Sequence, residues 1–73
     1  MITKSRLIPG VEYTPEQCCF ITNLRQAYLY LRNGATLLDI LYFNTKNDSL
    51  VFVFEKNAHI KNLYELWNKH ELV

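Results

Sequence analysis

The chain has 73 residues, of which 49% are hydrophobic, and its eight Lys and Arg residues stand against seven Asp and Glu. A chain this short builds one domain with a small core, and its net charge of +1 lacks the basic excess that duplex-DNA binders usually show. No apolar run approaches the roughly 18 residues of a membrane span, so we expect no membrane partner.

The first 17 residues differ in composition from the rest of the chain. They contain both prolines and one of the two glycines, and Pro9-Gly10 is a turn dipeptide. We therefore predict an extended or irregular N-terminal arm over residues 1–17 and a single domain over residues 18–73. Several apolar side chains in the arm predict that it packs on another surface.

A strand and a helix are predicted directly after the arm. Residues 18–22 form a short apolar run, and Asn23 suits a helix N-cap with Gln26 three positions later, where a capping box is completed. The helix then runs from about 24 to 33 and ends at Gly34. The i, i+3, i+4, i+7 spacing predicts a core-facing stripe made of Leu24, Ala27, Tyr28 and Leu31.

Two β-rich runs follow, and the polar segment TKND between them predicts the loop of an antiparallel hairpin. Alternation in the first run puts Leu38, Ile40 and Tyr42 on one side of the sheet, with Leu37, Asp39, Leu41 and Phe43 on the other. In the run SLVFVFEKN, Leu50, Phe52 and Phe54 alternate with Val51 and Val53. A helical crossover from the first strand predicts that this strand pairs in parallel with one hairpin strand.

A second helix is predicted to begin after Asn57, another residue suited to an N-cap. Its predicted core-facing stripe consists of Ile60, Leu63, Tyr64 and Trp67. On the opposite side, Lys61, Glu65 and Lys69 form an i, i+4 series of charges typical of a solvated surface.

The order β-α-β-β-α plus the arm predicts an α+β fold, a small two-layer sandwich with both helices on one face of a three-stranded sheet. The other face would then carry an apolar patch larger than soluble monomers leave to water. We predict that the arm and a second copy of the chain cover it together, in a homodimer or larger symmetric assembly. The predicted interface residues are Leu37, Leu41, Phe43, Val51 and Val53. Asp39 and Glu55 on the same face would meet water at a sheet edge or a basic residue of a neighbour.

Four packing motifs lie within about residues 20–70. They are the Tyr28, Leu29, Leu31 and Gly34 arrangement, the Leu37-Leu38 pair, the Phe52-Val53-Phe54 strand and the Trp67-Asn68 pair in the last helix. Over these residues the chain resembles a small uncharacterised domain family of bacteria and their phages. The resemblance implies a small α+β domain and a phage or mobile-element origin, but no activity, because the family's function is unknown.

Motifs of catalysis and metal binding do not occur in the sequence, so we predict a non-enzymatic protein without a cofactor. Cys18 and Cys19 are adjacent and cannot close a loop, which indicates a reducing, cytoplasmic setting with one thiol in the core and one outside. If the chain is phage-encoded, that compartment is the host cytoplasm. His59 and His70 lie eleven positions apart, a spacing that does not suit zinc, and both are expected on a wet helix surface.

Two functions remain open from the sequence. The favoured one is a small protein-interaction module, such as a phage-encoded inhibitor or adaptor acting on a host protein, because the apolar sheet face and the aromatic residues suit an interface. The alternative is a nucleotide or single-stranded nucleic-acid binder, a sponge or regulator, in which Arg25, an exposed Tyr30 and Arg32 contact the ligand by ion pairing and stacking. The simpler interpretation of the same residues is two solvated arginines on the back of the helix and a half-buried tyrosine.

Overall fold

The structure, a computed structural model, describes residues 1–44 and 48–73. Its strands are β1 (Thr3–Lys4), β2 (Glu12–Tyr13), β3 (Cys18–Ile21), β4 (Leu37–Asn44) and β5 (Asp48–Glu55). Its α-helices are α1 (Leu24–Arg32) and α2 (Ala58–Asn68), and Pro15–Gln17 form a short 3₁₀ helix. The predicted α+β class is confirmed. The predicted hairpin loop is TKND, residues 45–48, of which residues 45–47 lie outside the described residues and Asp48 belongs to β5.

The three-stranded sheet has the order β3-β5-β4, and β5 runs antiparallel to both of its neighbours. Strands β3 and β4 therefore point in the same direction, as a helical crossover requires, but β5 lies between them. The predicted parallel pairing of the first strand with a hairpin strand is wrong for this reason. In the arm, β1 and β2 form a separate antiparallel pair.

Helix ends follow the sequence closely. The Asn23 side chain accepts a hydrogen bond from the Gln26 amide, and the Asn57 side chain accepts one from the Ile60 amide, which confirms both N-caps. The predicted capping box is not completed, because the Gln26 side chain donates to the Tyr30 hydroxyl at 2.9 Å instead. Gly34 follows α1 with a φ of 86°, a left-handed conformation that glycine adopts without strain.

The main core lies between the two helices and one side of the sheet, which we call the helix side. At its centre the rings of Tyr30 and Phe54 meet edge to face, with centroids 5.6 Å apart. Both residues are buried, and the other buried members of this cluster are Ala27, Leu29, Ile60, Leu63 and Leu72. Cys19 and Ile21 of β3 pack against it.

The two helices are rotated relative to the predicted stripes. In α1 only Ala27 of the predicted stripe is buried, whereas its other members, Leu24, Tyr28 and Leu31, are 64%, 59% and 40% exposed. In α2, Ile60 and Leu63 are buried and Trp67 packs on the core, but Tyr64 is 54% exposed. The α1 prediction is wrong because apolar residues occupy most of that helix's circumference, so periodicity alone does not single out the side that meets Phe54.

A β-bulge in β4 reverses part of the predicted alternation. Leu37 lies opposite Phe54 and Asp39 lies opposite Val53, so Leu38 is an extra residue on β4. As a result, Leu37 packs on the helix-side core and Leu38 packs on the other side of the sheet. The predicted sides of these two residues, including Leu37 as an interface residue, are therefore wrong. Beyond the bulge, the predicted alternation of residues 39–43 is retained.

The N-terminal arm covers the centre of the opposite side of the sheet, which we call the arm side. Tyr13 of the arm forms a small second core with Cys18 and Val53, and Leu38 and Leu41 pack against it. Val53 is fully buried within one chain, so the arm covers this position without the second copy that was predicted to help cover it. The rest of the predicted interface lies on this side, with Leu41 and Val51 half-buried and Phe43 exposed.

Asp39 is a fully buried carboxylate between β4 and the arm. Its Oδ1 accepts hydrogen bonds from the amides of Arg6 and Leu7 and from the Ser5 hydroxyl, and its Oδ2 accepts one from the Tyr13 hydroxyl. The expectation that water or a neighbouring chain satisfies Asp39 is wrong, because the arm itself supplies the donors. Glu55, in contrast, is exposed at the end of β5.

Candidate interaction surface

Three apolar side chains on the outer side of α1 are open to solvent. The period of 3.6 residues puts Leu24, Tyr28 and Leu31 along one side of the helix, while Ala27 and Tyr30 point into the core. We call these three side chains the α1 stripe. A contiguous exposed apolar surface on a folded domain is typical of an interaction site, unlike single scattered apolar residues.

Positive charge borders the α1 stripe. Arg25 and Arg32 are both exposed and lie seven residues apart, on the same side of the helix. The nine residues of α1, LRQAYLYLR, include no Asp or Glu. The outer surface of α1 thus combines apolar contact area with two guanidinium groups, which donate hydrogen bonds in a planar fork suited to carboxylates and phosphates.

Tyr30 does not belong to this surface, and the expectation that it is exposed is wrong. Its side chain is 1% exposed, and burial raises the pKa of its hydroxyl, with the hydrogen bond from Gln26 opposing that shift. Tyr28 takes its place, because it lies three residues from Arg25 and four from Arg32 and is exposed beside both. Tyr28 is missed from the sequence because its spacing puts it in the predicted core-facing stripe. The signal against that assignment is that Ala27 also shares a side of the helix with Tyr30, three residues later.

The cysteines lie on opposite sides of β3. Cys18 is buried on the arm side, donates to the Thr14 carbonyl at 3.3 Å, and has a pKa raised first by burial and then by Cys19. Cys19 is half-buried on the helix side. Neither cysteine is in a disulfide. Over residues 1–44 and 48–73, no cluster of three or more His, Cys, Asp or Glu side chains suits a metal ion.

The two histidines are exposed, on and just after α2. The Nε2 atom of His59 lies 2.7 Å from the Asn33 carbonyl oxygen and so links the start of α2 to the end of α1. His70 follows the helix with a φ of 58°. Neither histidine is among the hydrogen-bond partners of Asp39, which is enclosed by the arm.

Within the part of the chain that the structure describes, neither helix has the length and apolar character needed to cross a bilayer. No family model matches the chain, and no curated protein and no solved structure is significantly similar to it. The resemblance to a bacterial and phage domain family therefore stays a prediction.

Proposed function

We propose that this chain is a non-enzymatic protein-interaction module whose partner docks on the α1 stripe. The observation that carries the proposal is the exposure of Leu24, Tyr28 and Leu31 along one side of a helix whose opposite side is buried. Tyrosine and arginine are enriched at protein interfaces because they offer large contact areas together with hydrogen-bonding groups. In a narrower form of the proposal, the chain is a phage-encoded or mobile-element-encoded inhibitor or adaptor and the partner is a host protein.

Charge defines the chemistry of the partner. Two arginines border the α1 stripe, and α1 supplies no carboxylate to neutralise them. A second copy docked by the same helix would bring four arginines into one interface without an acidic residue from either helix, and like charges across an interface are unfavourable. A protein surface that combines apolar side chains with Asp or Glu is the better complement. We therefore expect an acidic amphipathic partner, such as a helix with an apolar stripe bordered by carboxylates.

A display selection tests this proposal without knowledge of the natural partner. Two libraries of helical peptides would share an apolar stripe and differ only in whether Asp and Glu or Lys and Arg border it. We expect the immobilised chain to enrich acidic members and to lose them when Leu24→Ser and Tyr28→Ser are combined. The variant should remain folded, since both side chains are exposed, and circular dichroism checks this.

The matched control for this selection is Phe43→Ser combined with Phe20→Ser. Both phenylalanines are 47% exposed and lie on the arm side of the sheet, away from the helices. We expect this control to retain the selected acidic peptides. Enrichment of basic peptides, or loss of binding in the control but not in the α1 variant, would contradict the proposal.

A nucleotide or single-stranded nucleic acid is the second candidate ligand, because Tyr28 lies between Arg25 and Arg32 on an exposed surface. A base can stack on the tyrosine ring while the guanidinium groups contact phosphates. Calorimetry with mononucleotides and short oligonucleotides at low salt tests this alternative. Binding that weakens steeply with salt and is lost on Arg25→Glu with Arg32→Glu supports it. An absence of heat across the panel excludes it.

A further inference from the structure

A groove of about 540 Å³ lies between β3 and the first turns of α2, on a side of α1 different from the α1 stripe. Small-molecule sites in proteins typically have volumes of about 300 to 1,000 Å³. The groove is half-open, so a ligand could enter it without unfolding of the domain.

The floor of the groove is apolar. Cys19 and Ile21 contribute from the helix side of β3, where both are only half-buried, and Ile60 contributes from α2. The Tyr30 ring contributes from α1. A hydrocarbon chain that displaces water from this floor gains roughly 25 cal/mol of binding free energy per Å² of apolar area removed from water.

The charged side chains that line the groove are both lysines, and the nearby Glu55 carboxylate, outside the lining, accepts a hydrogen bond from the Asn57 side chain at 3.2 Å. Lys56 and Lys61 line it and are exposed, and the lining residues that the structure describes include no Asp or Glu. The N-terminus of α2 lies at the groove, where Asn57 and Ala58 line it, and the first turn of α2 carries no acidic residue. The partial positive charge of a helix N-terminus adds to that of the two ammonium groups. A ligand complementary to this groove has a hydrocarbon body and an anionic group.

We propose that the groove is a binding site for a small amphipathic anion. The hydrocarbon chain lies along Cys19, Ile21 and Ile60, and the headgroup lies beside Lys56 and Lys61. A carboxylate and a phosphate monoester share this chemistry, and a neutral or cationic molecule of the same chain length lacks it. The inference is independent of the protein-interaction function, because it uses none of the residues of the α1 stripe.

Titration of the full chain with four ten-carbon ligands, each kept below its micelle concentration or its solubility limit, tests this inference. We expect saturable binding of decanoate or decyl phosphate in amide NMR spectra, with the largest shifts at Cys19, Ile21 and residues 56–61. Decanol should bind several-fold more weakly, and decyltrimethylammonium more weakly still. A difference in affinity between decanoate and decyl phosphate shows which of the two headgroups the site prefers. Equal affinity for all four ligands, or no shifts up to the solubility limit, would overturn the proposal.

Substitutions at the rim separate a specific site from general surface adsorption. Lys56→Gln and Lys61→Gln should each lower affinity for the anion about two- to fivefold, as expected for exposed ion pairs. Lys69→Gln, at the exposed far end of α2, is the matched control and should leave affinity unchanged. Ala58→Trp, at an exposed lining residue, should fill the groove and abolish binding. Equal losses in the Lys69 control, or full binding by the Ala58 variant, would contradict the assigned position.

The thiol of Cys19 supplies a second readout. In a Cys18→Ala variant Cys19 is the sole thiol, and a bound hydrocarbon chain should shield it from alkylation. We expect a saturating anion to slow its modification at least severalfold, and decyltrimethylammonium to leave the rate unchanged. In the reciprocal Cys19→Ala variant, Cys18 lies on the arm side and its rate should not respond to the ligand. An unprotected Cys19 at saturation would overturn the groove as the site.

Discussion

The Tyr13 hydroxyl donates a 2.8 Å hydrogen bond to Oδ2 of the fully buried Asp39 and so joins the N-terminal arm to β4. Burial, the hydrogen bond to Asp39 and the negative charge of Asp39 together raise the pKa of Tyr13 to about 12. On the carboxylate, burial opposes ionisation. The donors Tyr13, Arg6, Ile40 and Leu7 more than offset that cost, so the pKa of Asp39 lies below its ordinary value.

Removal of the Asp39 carboxylate should release the arm. We expect Asp39→Ala to lower the free energy of unfolding by roughly 3 kcal/mol, because the part-buried hydrogen bonds from the Arg6 and Leu7 amides lose their charged acceptor. Tyr13→Phe removes a single donor and should cost about 1 to 2 kcal/mol. Urea unfolding measures both changes, and hydrogen exchange of the Arg6 and Leu7 amides reports the arm directly. Equal protection of these amides in wild type and Asp39→Ala would contradict this role.

The stability of the protein should fall in acid through Asp39. Because the folded pKa of Asp39 lies below its ordinary value of 3.8, the carboxylate stabilises the fold above that pH. This contribution is lost as the pH falls through 3.8 toward the lower folded pKa. We expect Asp39→Asn to be less stable than wild type at neutral pH and the gap to narrow in acid. Thermal unfolding between about pH 7 and pH 2.5 measures it, and parallel curves would count against the prediction.

Substitutions in α2 should separate the side that packs from the side that does not. We expect Ile60→Ala to cost about 2 to 5 kcal/mol, because Ile60 is buried in the main core. Tyr64→Ala should cost less than about 1 kcal/mol, since Tyr64 is 54% exposed. Trp67→Ala should fall between them, because Trp67 is half-buried against the core. If Tyr64→Ala lowered the free energy of unfolding as much as Ile60→Ala does, the side of α2 assigned to the core would be wrong.

Truncation of the arm should uncover the arm side of the sheet and cause the chains to associate. Removal of residues 1–14 takes away Tyr13 and the other donors that the arm supplies to Asp39, and uncovers Val53. We expect light scattering to report association or aggregation of the truncated chain at concentrations where the full chain is stable in mass. A truncated chain that keeps the mass of the full chain would show that the arm is dispensable as a cover.

The homodimer predicted through the arm side of the sheet has its own test. Val53→Asp does not serve, because Val53 is buried within one chain and a charge there would destabilise the monomer itself. Phe43→Asp does serve, since Phe43 is 47% exposed. The prediction requires a wild-type mass of about twice 8.7 kDa that falls to the mass of one chain in the variant. A wild type of 8.7 kDa at high concentration would contradict it.

Local signals in the sequence were enough to predict the strands and helices of the domain. The side chains of Asn23 and Asn57 cap amides within three residues of themselves, so their effect does not depend on the rest of the fold. The same holds for Gly34, whose left-handed conformation ends α1. Alternation along β5 was also sufficient to separate Phe52 from Val53, because a strand with no bulge keeps a period of two.

Tertiary packing decided which surfaces are buried. Helix α1 is apolar around most of its circumference. Its local sequence therefore does not decide whether the side with the α1 stripe or the side with Ala27 and Tyr30 is buried. Tyr30 is buried because its ring fits edge to face against Phe54, a contact between residues 24 positions apart. The bulge at Leu38 and the burial of Asp39 likewise depend on partners in β5 and the arm. Periodicity indicates which residues of a helix share a side. Contacts between segments that are distant in the sequence decide which side of α1 is exposed.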